Sequence, residues 1–191
     1  DVTTGYASTL NNAAPNGNSV KIYLEKNNGV TVDGSNVIVA DVMASNGVIH
    51  AIDKVILPSN VVMHALANPN FTILVQAVVK AGLVDALSGK GPFTVFAPTN
   101  AAFNALFAQL GISGVNDLTA EQLIPILTYH VVPGNVLSTA LSNGNVPTLN
   151  TGKSLNVNLS GGVKINDSEV VAANIQGSNG VVHVINKVLL P

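Results

Sequence analysis

The feature that most constrains this chain is a segment that occurs twice. Residues 46–58 read Asn-Gly-Val-Ile-His-Ala-Ile-Asp-Lys-Val-Ile-Leu-Pro, and residues 179–191 read Asn-Gly-Val-Val-His-Val-Ile-Asn-Lys-Val-Leu-Leu-Pro. The copies lie 133 positions apart, from residue 46 to residue 179, in a chain of 191 residues. A repeat of that period fits one whole unit and only the C-terminal part of another.

The residues before each copy repeat as well, and they read as strands and turns. Residues 20–24 alternate apolar and polar side chains, Asn27-Asn28-Gly29 forms a turn, and residues 37–42 follow as another strand. The same order returns from Val146 onward, with a longer turn at residues 13–18 in the first copy. We therefore predict that residues 1–58 are the strand-rich C-terminal half of a unit and that residues 59–191 are a complete unit.

Residues 59–145 change to a helical period. Apolar side chains recur every three or four positions from Phe71 to Val79, which predicts an amphipathic helix. Thr99 can cap a helix over residues 101–110, and Thr119 with Gln122 forms a capping box for the next helix. The sequence thus predicts an α+β fold.

Composition and motifs exclude several classes of function. Charged residues are only 9%, and all eight basic residues are lysine, so we expect no nucleic-acid partner. With no cysteine there are no disulfides or thiolate metal sites. No apolar run approaches 18 residues, so we expect no transmembrane segment. No nucleophile elbow, zinc-protease motif or phosphate-binding glycine loop is present, so we expect no enzyme, no cofactor and no metal site.

Three segments together resemble the fasciclin domain family: residues 91–103, the Tyr129-His130 pair, and residues 179–191. The resemblance implies a β-sheet wedge or sandwich with a helical layer, in a secreted or surface-attached adhesion protein. It also implies that the motif residues are structural. These are Phe93, Thr94, Phe96, Pro98, Thr99, Asn100, Asn179, Gly180 and His183, with Asn46, Gly47 and His50 in the first copy.

Tyr129 and His130 are the candidate binding residues, because in animal relatives the motif is associated with integrin binding. The alternative is that the phenol and imidazole tie the end of a helix to the sheet, and we favour it because buried polar groups are usually satisfied. For His183 and His50 we expect positions in or near the core, since both strands carry apolar residues on both faces. Asn70, Asn158 and Asn166 fit the glycosylation pattern, which chance explains in so asparagine-rich a chain.

The incomplete first unit raises a physical problem, because its strands carry apolar faces that missing helices would cover. Three resolutions are open: the chain is part of a longer multidomain protein, the half unit packs on residues 59–191, or another chain completes it. The expected function is adhesion to a cell-surface or matrix protein or glycan. The alternative is a self-assembling matrix or filament subunit joined through residues 1–58. A third possibility is a carbohydrate or small apolar ligand between helices and sheet.

Overall fold

The computed structural model describes residues 3–191. In that range the chain forms two β-sheets and five α-helices, which confirms the predicted α+β class. We call residues 3–58 the first unit and residues 59–191 the second unit. That these are a half domain and a complete domain stays a prediction.

The first unit is one antiparallel sheet with its strands in chain order. Its strands are β1 (Gly5–Ser8), β2 (Lys21–Lys26), β3 (Val30–Val32), β4 (Ser35–Ala44) and β5 (Gly47–Ile52). The longer turn predicted between β1 and β2 contains a 3-10 helix, Pro15–Gly17. The strand β5 lies at the edge of this sheet.

All five α-helices of residues 3–191 lie in the second unit, three of them before its first strand. They are α1 (Val61–Ala67), α2 (Thr72–Lys80), α3 (Val84–Ser88), α4 (Asn100–Leu110) and α5 (Ala120–Tyr129). The predicted caps start two of them, because Thr99 Oγ1 accepts from the Ala102 N–H and the Thr119–Gln122 capping box is present in both directions. Gly111 ends α4 in the left-handed conformation that a glycine adopts without strain.

Seven strands form the second sheet, in the order β7-β6-β12-β11-β10-β9-β8. They are β6 (Phe93–Pro98), β7 (Val131–Pro133), β8 (Gly144–Pro147), β9 (Ser154–Asn158), β10 (Lys164–Ile165), β11 (Ser168–Gly177) and β12 (Gly180–Ile185). The strand β12 is central: it pairs in parallel with β6 and antiparallel with β11. All six of its residues are buried, as two-sided apolar patterning predicts.

Two apolar clusters cover the two faces of this sheet. The first lies under the helices and joins Phe71, Phe103 and Leu123 to Val182 and Val184 of β12. The second lies on the other face and is built from Phe96, Tyr129, Leu155, Ile165 and Leu189, among others. Each such side chain contributes roughly 1.5–3 kcal/mol when fully buried, so β12 is the strand on which both layers depend.

The sequence repeat is also a backbone repeat. In the first unit Val42 pairs with Ile49, and 133 positions later Ile175 pairs with Val182. The bulges fall at the same places, and Asp41 (φ 58°) corresponds to Asn174 (φ 61°) in the left-handed region. The two copies therefore share their strand register, including its irregularities.

Burial separates the two copies. Ile49 is 57% exposed, whereas its counterpart Val182 is 4% exposed. Met43 is 77% exposed, whereas its counterpart Gln176 is 3% exposed. The reason is the neighbouring strand: β6 lies beside β12, and among residues 3–191 no strand lies on the outer side of β5.

The core position predicted for His50 is therefore wrong. Its side chain keeps 40% of its accessible surface, whereas His183 is fully buried. The pattern of β5 is that of a central strand, but the elements that bury His183 have no counterpart around His50 among the described residues.

Candidate functional site

Tyr129 and His130 lie where α5 ends and β7 begins. The Tyr129 hydroxyl donates to the Ser154 carbonyl at 3.0 Å and accepts from the Asn166 side-chain amide at 3.1 Å. The ring itself is buried in the second apolar cluster. The phenol thus ties the end of α5 to β9 and to the turn that precedes β11.

His130 makes two hydrogen bonds that fix its tautomer. Its Nδ1 donates to the Ile126 carbonyl at 2.8 Å, and its Nε2 accepts from the Leu189 N–H at 2.9 Å. Burial lowers the pKa of His130 to about 4, so the ring is neutral at pH 7. It satisfies one of the last carbonyls of α5 and one backbone N–H beyond β12.

This geometry is the helix-to-sheet tie favoured above, and both rings lie below the surface. Ligand binding by Tyr129 and His130 stays a prediction.

His183 is held between two elements of the second unit. Its Nε2 donates to the Val136 carbonyl at 2.9 Å, and its ring stacks on Phe96 with the centroids 5.6 Å apart. Burial lowers its pKa. His50 instead accepts from the Asp41 N–H at Nδ1, at 3.2 Å. Neither histidine belongs to a group of metal-ligand residues within residues 3–191.

Side chains of the motif around β6 form hydrogen bonds with the backbone of neighbouring loops and helices. The Thr94 hydroxyl donates to the Gly134 carbonyl at 2.7 Å and accepts from the Val136 N–H at 2.9 Å. The Asn100 side chain accepts from the Ile73 N–H at 3.0 Å and donates to the Pro69 carbonyl at 2.9 Å. Phe93 and Pro98 pair with β12 at the two ends of β6.

Asn179 and Gly180 do the same at the turn before β12. The Asn179 side chain accepts from the Val61 N–H at 3.0 Å and donates to the Leu87 and Gly89 carbonyls at 2.9 Å each. A Cβ at Gly180 would collide with the backbone of Phe93. The counterparts Asn46 and Gly47 are exposed, and a Cβ at Gly47 meets nothing within 4 Å.

The first unit contacts the second, which was one of the alternatives left open above, but the sequence did not indicate the residues that make this contact. The Tyr6 ring of β1 lies 5.0 Å from Tyr23 and 5.8 Å, edge-on, from His64 of α1. The Asn68 amide donates to the Tyr6 hydroxyl at 3.2 Å, and burial raises the pKa of Tyr6 to about 12. One signal was available: Tyr23 replaces the exposed Asn156 of the other copy, an aromatic ring in place of an amide.

A second bond in the same contact joins the Ser59 hydroxyl to the Asp33 carboxylate at 3.0 Å. We call this contact, defined by Tyr6, Tyr23, Asp33, Ser59, His64 and Asn68, the inter-unit joint. This contact packs β1 and β2 of the first unit against α1 but leaves most of β4 and β5 exposed.

A cavity of about 100 Å³ lies between the helices and β6. Its lining includes Val61, Ala65, Val78, Leu87, Val95 and Leu127. His130 also borders it, but both ring nitrogens are already bonded. The groove expected between helices and sheet is thus present, and its chemistry suits an apolar group rather than a carbohydrate, which would find no hydrogen-bond partner.

A larger cleft, of about 610 Å³, opens beside β5 in the first unit. Its lining includes Ile22, Leu24 and Val32 together with Val48 and His50. The counterparts of the first three are Leu155, Val157 and Ile165, which lie in the second apolar cluster. The cleft is therefore the place where the second unit has its packed core.

No single helix among residues 3–191 has the length and apolar content needed to cross a membrane. Two helical segments, Val61–Ala67 and Pro69–Lys80, meet those criteria only when taken together, across a bend of 106°.

The fold and these contacts define a class: a repeat-built α+β protein whose motif residues lock a helical layer to a sheet. The chain belongs to the fasciclin domain family, which matches residues 2–58 and 69–191.

Relatives span bacteria and animals. Protein sll1483 of Synechocystis sp. is 47% identical over 128 residues, which is 66% of this chain and 71% of that protein. The transforming growth factor-beta-induced protein ig-h3 of Sus scrofa is 34% identical over 180 residues, covering 92% of this chain but only 26% of that protein.

A solved FAS1 domain pair from the insect cell adhesion molecule Fasciclin I has the same fold. Its TM-score is 0.65 at 21% identity, over 90% of this chain and 68% of that one. The likeness in fold therefore extends over both units.

Proposed function

We propose that this chain is a non-enzymatic adhesion module of a secreted or surface-attached protein, acting within a tandem array of fasciclin units. Its partners are proteins or glycans of a cell surface or matrix. The adhesion role of the solved domain pair supports this proposal, as does the extent of that likeness over both units.

The observation that carries the proposal is the inter-unit joint. Tyr6 is packed between Tyr23 and His64, and its hydroxyl is bonded to Asn68. Polar groups in a buried contact are satisfied in one arrangement only, so the joint fixes the angle between the two sheets. A fixed angle lets successive units present their surfaces in a constant orientation, which favours the simultaneous engagement of several sites.

The first experiment measures the rigidity of the joint. Because the chain has no cysteine, spin labels can be placed at Asn28→Cys and Asn104→Cys on the two units. We expect a narrow distance distribution that broadens in Tyr6→Ala and stays narrow in Leu10→Ala, since Leu10 is fully exposed. Equal widths in all three proteins contradict a joint built on Tyr6.

The second experiment measures adhesion. The purified chain is immobilised and challenged with cells, matrix preparations and a glycan array. We expect retention by at least one surface, and weaker retention by Tyr6→Ala than by Leu10→Ala. Retention by none of them contradicts the adhesion role.

A second candidate function is self-assembly into a matrix or filament through residues 1–58. The observation that favours it is the open edge of β5, where Ile49 of β5 and Met43 of the adjoining β4 are exposed. A head-to-tail contact at such an edge builds filaments unless its rotation closes a ring. Light scattering over a wide concentration range and electron microscopy test it, and a monomer at every concentration contradicts it.

A further inference from the structure

The cavity of about 100 Å³ between the helices and β6 is partly open to the surface of the second unit. We infer that it binds the end of a single unbranched hydrocarbon chain, carried by a small molecule whose other end is uncharged. This ligand site is separate from the adhesion role proposed above, and neither depends on the other.

The walls of the cavity are apolar and come from several helices and a strand. Ala65 of α1 and Leu87 of α3 lie on one side, and Val95 of β6 and Leu127 of α5 also line it. Within the described residues 3–191 no charged side chain lines the cavity, because burial keeps His130 neutral at pH 7. A carboxylate, an ammonium group or a sugar would therefore lose its water without gaining a partner there.

Hydrogen bonds made outside the cavity hold its walls in place. The Asn179 side chain accepts from the Val61 N–H and donates to the Leu87 carbonyl, so it ties the start of α1 to the end of α3. Val61 and Leu87 both line the cavity. His130, which borders it, is fixed by its own two backbone bonds. The cavity is therefore formed before a ligand arrives, which lowers the entropic cost of binding.

The volume favours a chain over a ring. An engineered apolar cavity of about 150 Å³ stays dry and binds benzene. By proportion, the present volume of about 100 Å³ holds about four carbon atoms. A benzene ring is therefore too large, whereas the end of an unbranched chain fits and can continue through the opening.

Two exposed apolar side chains lie where the chain leaves the cavity. Leu66 of α1 and Val79 of α2 border the cavity, yet they are 62% and 60% exposed. We call these two residues the rim. Because the rim continues the apolar surface of the cavity outward, carbon atoms beyond the opening lie against it and are partly removed from water.

The cavity and the rim predict two different increments in affinity. Complete burial of one methylene group strengthens binding about fourfold, and half burial strengthens it about twofold. Each added carbon should therefore give about a fourfold gain inside the cavity and about a twofold gain along the rim.

NMR titrations with linear alcohols test the site. The probes are n-propanol, n-butanol and n-hexanol, and the methyl signals followed are those of Ala65 and Val78, which line the cavity. We expect butanol to bind about fourfold more tightly than propanol, since it adds one buried carbon. We expect hexanol to bind about fourfold more tightly than butanol, since it adds two half-buried carbons. The hexanediol with a hydroxyl group at each end should bind about tenfold more weakly than hexanol, because one hydroxyl is buried without a partner.

Two variants separate the cavity from the rim. Ala65→Leu fills the cavity and should weaken butanol binding by about tenfold or more, whereas Ala108→Leu on an exposed helix face should leave it unchanged. Leu66→Ser removes one side of the rim and should reduce the advantage of hexanol over butanol to less than about twofold, with butanol binding unchanged. Because Leu66 is exposed, this second variant tests the site even where Ala65→Leu perturbs the fold.

Four results overturn the inference. Equal butanol affinity in the unchanged chain and in folded Ala65→Leu places binding elsewhere. Equal affinity for hexanol and the hexanediol shows that the site does not select a hydrocarbon chain. Tighter binding of hexanoate than of hexanol shows that the ligand is charged. Shifts of the Ala65 and Val78 signals that follow protein concentration without any alcohol identify a second copy as the occupant.

Discussion

His130→Ala tests whether the Tyr129-His130 pair acts inside the fold or on a partner. The side chain is 2% exposed and bridges the Ile126 carbonyl and the Leu189 N–H. Removing it leaves the buried Leu189 N–H and the part-buried Ile126 carbonyl without this partner, since the side chain of alanine can neither donate nor accept. It also leaves an apolar void beside the existing cavity that His130 borders.

The magnitude follows from these losses. Each unsatisfied buried polar group costs about 1–3 kcal/mol. The two groups together, with partial relaxation and the loss of packing, lower the free energy of unfolding by about 3–5 kcal/mol. For a chain of this size a loss of 1 kcal/mol lowers the melting temperature by about 2–4 °C. The expected decrease is therefore roughly 6–20 °C.

Thermal and urea unfolding of His130→Ala measure this loss, with His50→Ala as the matched control. His50 is an exposed histidine of β5, so replacing it by alanine should change the melting temperature by only a degree or two. Adhesion is measured on both proteins at a temperature where His130→Ala remains folded. An unchanged melting temperature together with lost adhesion refutes the structural reasoning and assigns His130 to a partner.

Three further predictions rest on single contacts. The pKa of His130 is about 4 in the folded chain and about 6.5 in the unfolded chain, so the unfolded chain binds the proton first as the pH falls. The contribution of His130 to the unfolding free energy is therefore full above pH 6.5 and decreases by about 3 kcal/mol towards pH 4. Urea unfolding at several pH values measures this decrease. Ala65→Leu fills the cavity of about 100 Å³ and raises the unfolding free energy by about 1 kcal/mol in urea titrations, whereas Ala108→Leu on an exposed helix face does not. Gly180→Ala costs about 2 kcal/mol or more because β6 backbone must move, whereas Gly47→Ala costs less than about 0.5 kcal/mol, and circular dichroism melts compare the two.

The sequence predicted what depends on local chemistry. The caps at Thr99 and Thr119 lie where a hydroxyl precedes an apolar period, and the structure forms both helices there. The turn at residues 13–18 was visible because one copy of the repeat is longer than the other. The repeat also predicts that the two copies share one strand register, because matching segments form their bulges at matching positions.

The inter-unit joint was not predictable by the same means. Tyr6 and His64 meet across 58 positions, and each belongs to an element that reads as complete on its own. Periodicity reports which face of a strand is apolar but not which other element covers it. Only the comparison of Tyr23 with Asn156 carried a trace of the contact, since an aromatic ring at an otherwise polar position needs a neighbour.

The two histidine strands show why apolar pattern and burial are separate properties. Residues 46–58 and 179–191 have nearly the same side chains and the same register, yet His183 is buried and His50 is not. What differs is the strand that neighbours each copy. The strand β6 pairs with β12 through backbone hydrogen bonds and stacks Phe96 on His183. The apolar pattern of β5 therefore indicates which faces of the strand can be buried, but burial itself depends on the elements that pack beside it.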